Sequence, residues 1–273
     1  VSAAAVLAAD FETGQILYEK NADSTYPIAS ITKLMAGLAA VETINRFKVL
    51  TIPKDVFTGA EDPSGLVPGE RFAVEDLLYP LLLVSSNAVA NLYAEESPNP
   101  GLIRAMNQKA VALGLSRTSF ADASGASTEN VSTAKDLFKL LQFLHQHKQP
   151  IFAITGLPEE RAHSRDGNEH VWTNTNWPPG DERYIGGKAG KTTEAGETMA
   201  GVFKIRLPEF EERNIAIVLL KSGDRVHDAN ALLDYLQENF VYGAAALVKD
   251  AEDRPIIIRS GAQVYEALRG LVR

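Results

Sequence analysis

The chain has 273 residues, 45% of them apolar and 23% charged, a net charge of −8 and no cysteine. That balance suits a globular protein with a substantial buried core, in one large or two modest domains, and excludes a disordered chain. Cysteine nucleophiles, thiolate metal sites and disulfides are excluded as well, and an acidic chain without a basic run has no electrostatic footprint for nucleic acid.

Val1 to Ala9 and Ile16 to Glu19, with Glu12-Thr13-Gly14 between them, read as a hairpin of two strands. From Ser30 the period changes, and Ile31, Leu34, Met35, Leu38, Val41 and Ile44 form one helical stripe. Small residues fill the other faces, so this helix is expected to be buried. Thr51 to Arg71 is rich in Pro, Gly and Asp and reads as an irregular connection. Helical patterns follow over Val74 to Leu83, Asn87 to Glu96, Leu102 to Leu113 and Ser132 to His145, with Thr133 and Asp136 resembling a capping box. Gln149 to Asp181 reads as polar and turn-rich, with Trp172 and Trp177 as its large apolar members. Strand patterns return over Tyr184 to Lys191, Glu197 to Arg206 and Asn214 to Lys221, and a helix is expected from His227 to Phe240. The economical reading is an α/β part formed by residues 1–50 and 166–273, interrupted by a helical insertion at 51–165, with the active site between them. No apolar run approaches the ~20 residues that span a bilayer, and Val1 opens without a charged-then-apolar leader.

Three short motifs occur in order: Ser30-Ile31-Thr32-Lys33, Ser85-Ser86-Asn87 and Lys188-Ala189-Gly190. Ser132 and Lys135 repeat the first spacing, but there a capping serine and a solvated lysine on a charged face suffice. Lys33 differs, because the next charged residue on its helix is Glu42. A buried lysine is costly, and desolvation favours its neutral amine. Three residues apart on a helix, that amine reaches the Ser30 hydroxyl and can take its proton. The free N–H groups of a helix start also favour negative charge developing there. Ser85 and Asn87 follow the apolar run Leu81-Leu82-Leu83-Val84, where they either cap the next helix or serve as proton relay and carbonyl holder. Ser97-Pro98-Asn99, by contrast, lies in a Pro-rich turn. Lys188 sits in Gly186-Gly187-Lys188-Ala189-Gly190-Lys191, a strand stripped of bulk, as where a ligand or another backbone approaches closely; Lys221-Ser222-Gly223 reads as a turn ending a strand.

The ordered set resembles the penicillin-binding proteins and serine β-lactamases. Asp10-Phe11-Glu12-Thr13-Gly14-Gln15-Ile16-Leu17-Tyr18, Pro27-Ile28-Ala29-Ser30-Ile31-Thr32-Lys33-Leu34-Met35 and Ser132-Thr133-Ala134-Lys135-Asp136-Leu137 narrow it to the low-molecular-mass D-alanyl-D-alanine carboxypeptidases, over residues 1 to about 240. The resemblance implies an antiparallel sheet flanked by helices with an inserted helical subdomain, as in β-lactamases and transpeptidases. It implies Ser30 as nucleophile, Lys33 as base and Ser85 as proton relay. Asn87 would orient substrate and Lys33, and Lys188 would bind or polarise, beside Ala189 and Gly190. The N–H groups of Ser30 and Lys191 would form the oxyanion hole, and Arg225 would help hold a terminal carboxylate. Peptidoglycan stem peptides and covalent β-lactams are the implied partners, outside the cytoplasm, with export by a signal not present in this chain.

Two departures matter. The family usually has threonine where this chain has Ala189, and its hydroxyl normally helps bind the substrate's free carboxylate, so an endopeptidase acting on crosslinks gains weight. Many members also carry a β-rich stalk and an anchoring helix, for which residues 241 to 273 are too few and too polar. A β-lactamase would need a carboxylate to activate the deacylating water, and Glu159, Glu160 and Glu169 lie in the right part of the chain without a recognisable pattern. A scaffold that keeps the fold without the chemistry is the remaining alternative. There is no Gly-x-Ser-x-Gly elbow, and His145 and His147, two apart on a helix, do not share a face for metal binding. No metal and no organic cofactor are expected.

Overall fold

A computed structural model describes residues 1–58, 62–206 and 212–239, and the backbone of 246–249 and 255–258. The chain opens with strands β1 (Ala5–Asp10), β2 (Ile16–Lys20) and β3 (Tyr26–Pro27), a single 3-10 turn at Ala29–Ile31, and helix α1 (Thr32–Thr43). Strands β4 (Val49–Thr51) and β5 (Arg71–Ala73) precede helices α2 (Leu78–Leu82), α3 (Asn87–Glu96) and α4 (Leu102–Ala112). Then come β6 (Val131–Ser132), α5 (Ala134–His147), α6 (Gln149–Gly156) and the hairpin β7 (Glu159–His163) and β8 (Glu169–Thr173). Strands β9 (Tyr184–Thr192), β10 (Gly196–Arg206) and β11 (Glu212–Ser222), helix α7 (Arg225–Asn239) and strands β12 (Ala246–Lys249) and β13 (Pro255–Ile258) complete it.

The central sheet is antiparallel throughout, in the order β2-β1-β11-β10-β9. Its inner strands are buried on both faces, which is why Ile215 to Leu220 is an unbroken apolar run rather than an alternation. Successive side chains go to opposite faces. Val6, Ile217 and Leu219 meet Leu232, Leu233 and Leu236 of α7, while Leu7, Val218 and Leu220 join the larger core with α1 and α5. The fold is therefore α/β, with helices on both faces of an antiparallel sheet.

Helix α1 runs through the middle of the larger core, buried continuously from Thr32 to Ala40. Gly37 lets it approach α2, since a Cβ there would lie 3.2 Å from Leu81 Cδ2. Several readings of the sequence are corrected. The Thr51 to Arg71 connection is closed by the β4–β5 hairpin, and the turn-rich stretch after Gln149 contains α6 and the β7–β8 hairpin. The helix expected from Val74 starts only at Leu78, and Pro80 sits in its first turn, where its missing N–H costs nothing. Ser132 is no cap: it is buried in β6 and shares a hydrogen bond with Thr118 at 2.8 Å, while Thr133 caps α5 by accepting from the Asp136 N–H. Asp136 is buried too, holding Arg117 N and Thr118 Oγ1, so the capping box is only half made. The late helix starts at Arg225; Phe240, and the side chains of 241–273 on which the reading of the tail depends, lie outside the described residues.

Candidate active site

Ser30 occupies the 3-10 turn leading into α1. The peptide group joining Ala29 to Ser30 is gripped from two sides: a Cβ on Gly125 would fall 2.0 Å from Ala29 O, and one on Gly190 would fall 2.6 Å from Ser30 N. Only glycine permits both approaches. Ala29 itself is held at φ 48°, a conformation that costs a residue with a side chain about 1–3 kcal/mol.

Lys33, one turn on, is fully buried. Its Nζ lies 3.0 Å from Ser30 Oγ, 2.8 Å from Asn87 Oδ1 and 2.6 Å from Ser124 O. Burial brings its pKa down to about 7, against the opposing pull of the Asp122 and Asp62 charges. A neutral amine has two N–H groups and one lone pair. The amide and carbonyl oxygens can only accept, so they take the two N–H groups, and the lone pair is left facing the Ser30 hydroxyl.

Both seats of that amine are themselves held by carboxylates. Asp122 accepts from the N–H groups of Ser124, Gly125 and Ser127 at 2.8, 2.6 and 2.6 Å, which fixes the turn carrying Ser124 O. Asp62 accepts from Ala88 N at 2.9 Å and from Ser86 Oγ and the Ser64 hydroxyl, which fixes the start of α3 and with it Asn87. Ser86 Oγ in turn caps α3 at Val89 N. Ser85, at φ 65°, lines with Ser30 a cleft of about 220 Å³. The two serines have separate tasks: Ser86 caps, and Ser85 lines the cleft.

The opposite wall is β9. Lys188 is buried, its Nζ donating to Asn176 Oδ1 at 2.6 Å and Ala189 O at 2.8 Å. Burial, reinforced by the positive charges of Lys33 and Arg225, holds that amine well below its ordinary pKa. Lys191 and Arg225 are the other basic side chains of this wall. β9 is an edge strand, so alternate N–H groups point away from β10. Those of Gly187 and Ala189 go to Thr155 Oγ1 and Asn176 Oδ1, at 2.8 and 3.1 Å, and the alternation makes Lys191 the next outward one, at the cleft. Arg225, the first residue of α7, pairs with Glu197 at 3.1 Å.

The cleft is lined by Ser30, Ser85, Thr175, Asn176, Lys188, Ala189, Gly190, Lys191 and Arg225. The structure thus gathers the three motifs and Arg225 in one place, with Asn87 and Lys33 joined to it through Ser30. Asp62, Asp122, Ser124, Asn176 and Glu197 were not singled out in the sequence. Only Asp122-Ala123-Ser124-Gly125 carried a local signal, that of an Asx turn. The competing motifs lie elsewhere: Ser97 closes α3, Lys221 turns at φ 54°, and His145 and His147 are exposed on α5 beside Phe11 and Phe143. Glu159 and Glu169 flank Arg161 on the β7–β8 hairpin, and among the described residues no carboxylate lines the cleft.

The sequence profile of the D-alanyl-D-alanine carboxypeptidase family matches residues 1–220. A D-alanyl-D-alanine endopeptidase of Pseudomonas aeruginosa is 33% identical over 154 residues, 54% of this chain and 49% of that protein. A D-alanyl-D-alanine carboxypeptidase of Mycobacterium tuberculosis is 32% identical over 71% of this chain and 68% of its own length. The chain spans about half the length of the first two curated relatives it matches. Among solved structures, a D-alanyl-D-alanine carboxypeptidase of Mycobacterium tuberculosis superposes with a TM-score of 0.74 at 26% identity, covering 90% of this chain and 94% of its own. A Streptomyces DD-transpeptidase gives 0.75 at 25%, covering 86% and 97%.

Proposed function

We propose, since the chain belongs to the D-alanyl-D-alanine carboxypeptidase family, that it is a serine DD-peptidase hydrolysing D-Ala-D-Ala-type bonds of peptidoglycan stem peptides through an ester on Ser30. The observation that carries this reading is the seat of Lys33: a buried amine, brought to a pKa of about 7, whose nitrogen lies 3.0 Å from a serine hydroxyl. Such an amine is a general base at neutral pH, which a solvated lysine is not.

Ser30 Oγ attacks the carbonyl carbon of the scissile bond and Lys33 Nζ takes its proton. The N–H groups of Ser30 and Lys191 receive the negative charge that develops on the carbonyl oxygen. Collapse breaks the C–N bond, and the leaving amine takes a proton passed from Lys33 through the Ser85 hydroxyl. Water then attacks the ester, Lys33 again accepting the proton, and the shortened peptide leaves with Ser30 restored. Asn87 keeps the amine aimed, and Lys188 fixes Asn176 and the strand that receives the substrate. β-Lactams, which present a strained amide to the same nucleophile, acylate Ser30. With no carboxylate among the described residues that line the cleft, that adduct is expected to be long-lived. The substrate places the protein outside the cytoplasm.

Release of the terminal D-alanine is the first activity proposed, and cleavage of crosslinks the second, favoured by the missing hydroxyl at Ala189. The α/β part at 1–50 and 166–273 with an insertion at 51–165 fits this site, whose cleft takes Ser30 and Lys188 from the first and Ser85 from the second. Labelling with a fluorescent penicillin tests the chemistry: a stable adduct, lost in Ser30→Ala, is expected, and its absence from the unaltered protein refutes the mechanism. Digestion of purified monomeric and crosslinked muropeptides side by side separates the two activities.

A further inference from the structure

Glu197 is the side chain that the mechanism leaves unused. It lies on β10 directly opposite Lys191 of β9 and opposite Ser222 of β11, three residues before Arg225. Its Oε1 accepts from Lys191 Nζ at 3.0 Å, and its Oε2 accepts from both the guanidinium and the main-chain N–H of Arg225, each at 3.1 Å. Its side chain is 16% exposed, against 71% for Lys191. Both oxygens are thus committed to the two cations that border the cleft beside Ser30. The Arg225 Nε beside them is buried and has no hydrogen-bond partner.

A D-Ala-D-Ala peptide carries its carboxylate one residue beyond the scissile bond, so with the carbonyl over Ser30 that charge falls against the 189–191 wall. There it meets Lys191 and Arg225, since the Lys188 amine already donates to Asn176 Oδ1 and Ala189 O and Ala189 offers no hydroxyl. Glu197 is already paired with both, and its own charge repels a second carboxylate beside it. We propose that Glu197 is a specificity-determining residue, which pairs with two cations of the cleft and so shifts the balance between the two proposed activities, from release of a free terminal D-alanine towards acyl donors whose leaving residue has an uncharged, amidated carboxyl. Burial pushes the Glu197 carboxyl up, but the hydrogen bonds and charges of Arg225 and Lys191 outweigh it and hold the group below the usual range, so it is ionised wherever the enzyme works. An uncharged leaving residue meets no repulsion and can still accept from Arg225 through its carbonyl oxygen.

The inference rests on the DD-peptidase reading, and one experiment separates the two. An N-acylated Lys-D-Ala-D-Ala peptide is prepared as the free acid and as the C-terminal amide, and kcat/KM is measured for each. The unaltered protein is expected to cleave the amide at least as well as the acid, and a preference for the acid of about tenfold or more overturns the proposal. In Glu197→Gln, which removes the charge and keeps the shape, the acid-to-amide ratio is expected to rise about tenfold, and in Glu197→Gln with Arg225→Gln to fall back. A ratio unmoved by Glu197→Gln overturns the proposal even where penicillin still labels Ser30. Labelling without cleavage of either peptide overturns it as well, and neither labelling nor cleavage sinks the DD-peptidase reading itself.

Discussion

Lys33 Nζ stands 3.0 Å from Ser30 Oγ, and its other two partners, Asn87 Oδ1 and Ser124 O, are neutral oxygens. Among the described residues no carboxylate is bonded to it; Asp62 and Asp122 act on it only through space. A direct carboxylate would keep the amine protonated and useless as a base, whereas this seat leaves it neutral above about pH 7.

The pH dependence follows. Lysine carries its proton below its pKa, so acylation needs the pH to exceed that of Lys33. The second-order rate of penicillin labelling is expected to rise about tenfold per pH unit below about 7 and to level off above it. A rate still climbing at pH 10 would mean an amine with the pKa of a solvated lysine.

Asn87 offers a test by charge. Asn87→Asp puts a carboxylate 2.8 Å from the amine, raises its pKa and moves the midpoint of that profile above 7. Asn87→Ala leaves an N–H group unpaired and the amine free to swing, lowering labelling about ten- to a hundredfold. Asn87 itself is exposed, so Asn87→Asp is expected to lower the thermal midpoint little, whereas Asn87→Ala, which strands a buried donor, is expected to cost about 1–3 kcal/mol.

Asp62 works through both structure and charge. Asp62→Asn replaces an acceptor-only group that serves Ser64, Ser86 and Ala88 with an amide having one acceptor atom, at a cost of about 1–3 kcal/mol in unfolding free energy. It also removes a negative charge that raises the Lys33 pKa, so the labelling profile of the folded fraction moves to lower pH. Denaturant unfolding and the labelling profile read the two effects separately.

The part of this site legible in the sequence is the part built from neighbours in the chain. Ser30 with Lys33, Ser85 with Asn87, and Lys188 with Gly190 are each set by the geometry of one turn or one strand. What stayed hidden is what only folding brings together. Ser124 meets Lys33 across 91 positions, and Glu197 meets Arg225 across 28. No periodicity marks a carbonyl oxygen as a ligand or a surface-type Glu as a charge brake. The inner strands of the sheet were legible because they are covered on both faces and read as apolar runs. The β7–β8 hairpin was not, since Glu159-Glu160-Arg161-Ala162-His163 buries no residue fully. Ser132 misled because a serine one turn before a lysine looks the same whether it caps a helix or is buried in a short strand.

Gly190 gives the sharpest steric test. A Cβ there would sit 2.6 Å from Ser30 N, 2.9 Å from Ala29 Cβ and 2.9 Å from Thr198 Oγ1. Backbone cannot yield as a flexible side chain can, so Gly190→Ala is expected to cost about 1–3 kcal/mol and to abolish labelling of Ser30. Far-ultraviolet circular dichroism should still show the fold; labelling at the unaltered rate would mean that β9 does not bear on the nucleophile.

The clamped peptide group between Ala29 and Ser30 has a further consequence. Because main chain closes on it from both sides, its plane is held, and in the proposed mechanism the N–H that would meet the oxyanion is aimed before any ligand arrives. The work of orienting that dipole is done once, at folding, and is not repeated at each turnover. Adaptation of this chain to a new acyl donor must therefore come from the far rim of the cleft, because the ground under the nucleophile has no slack to give.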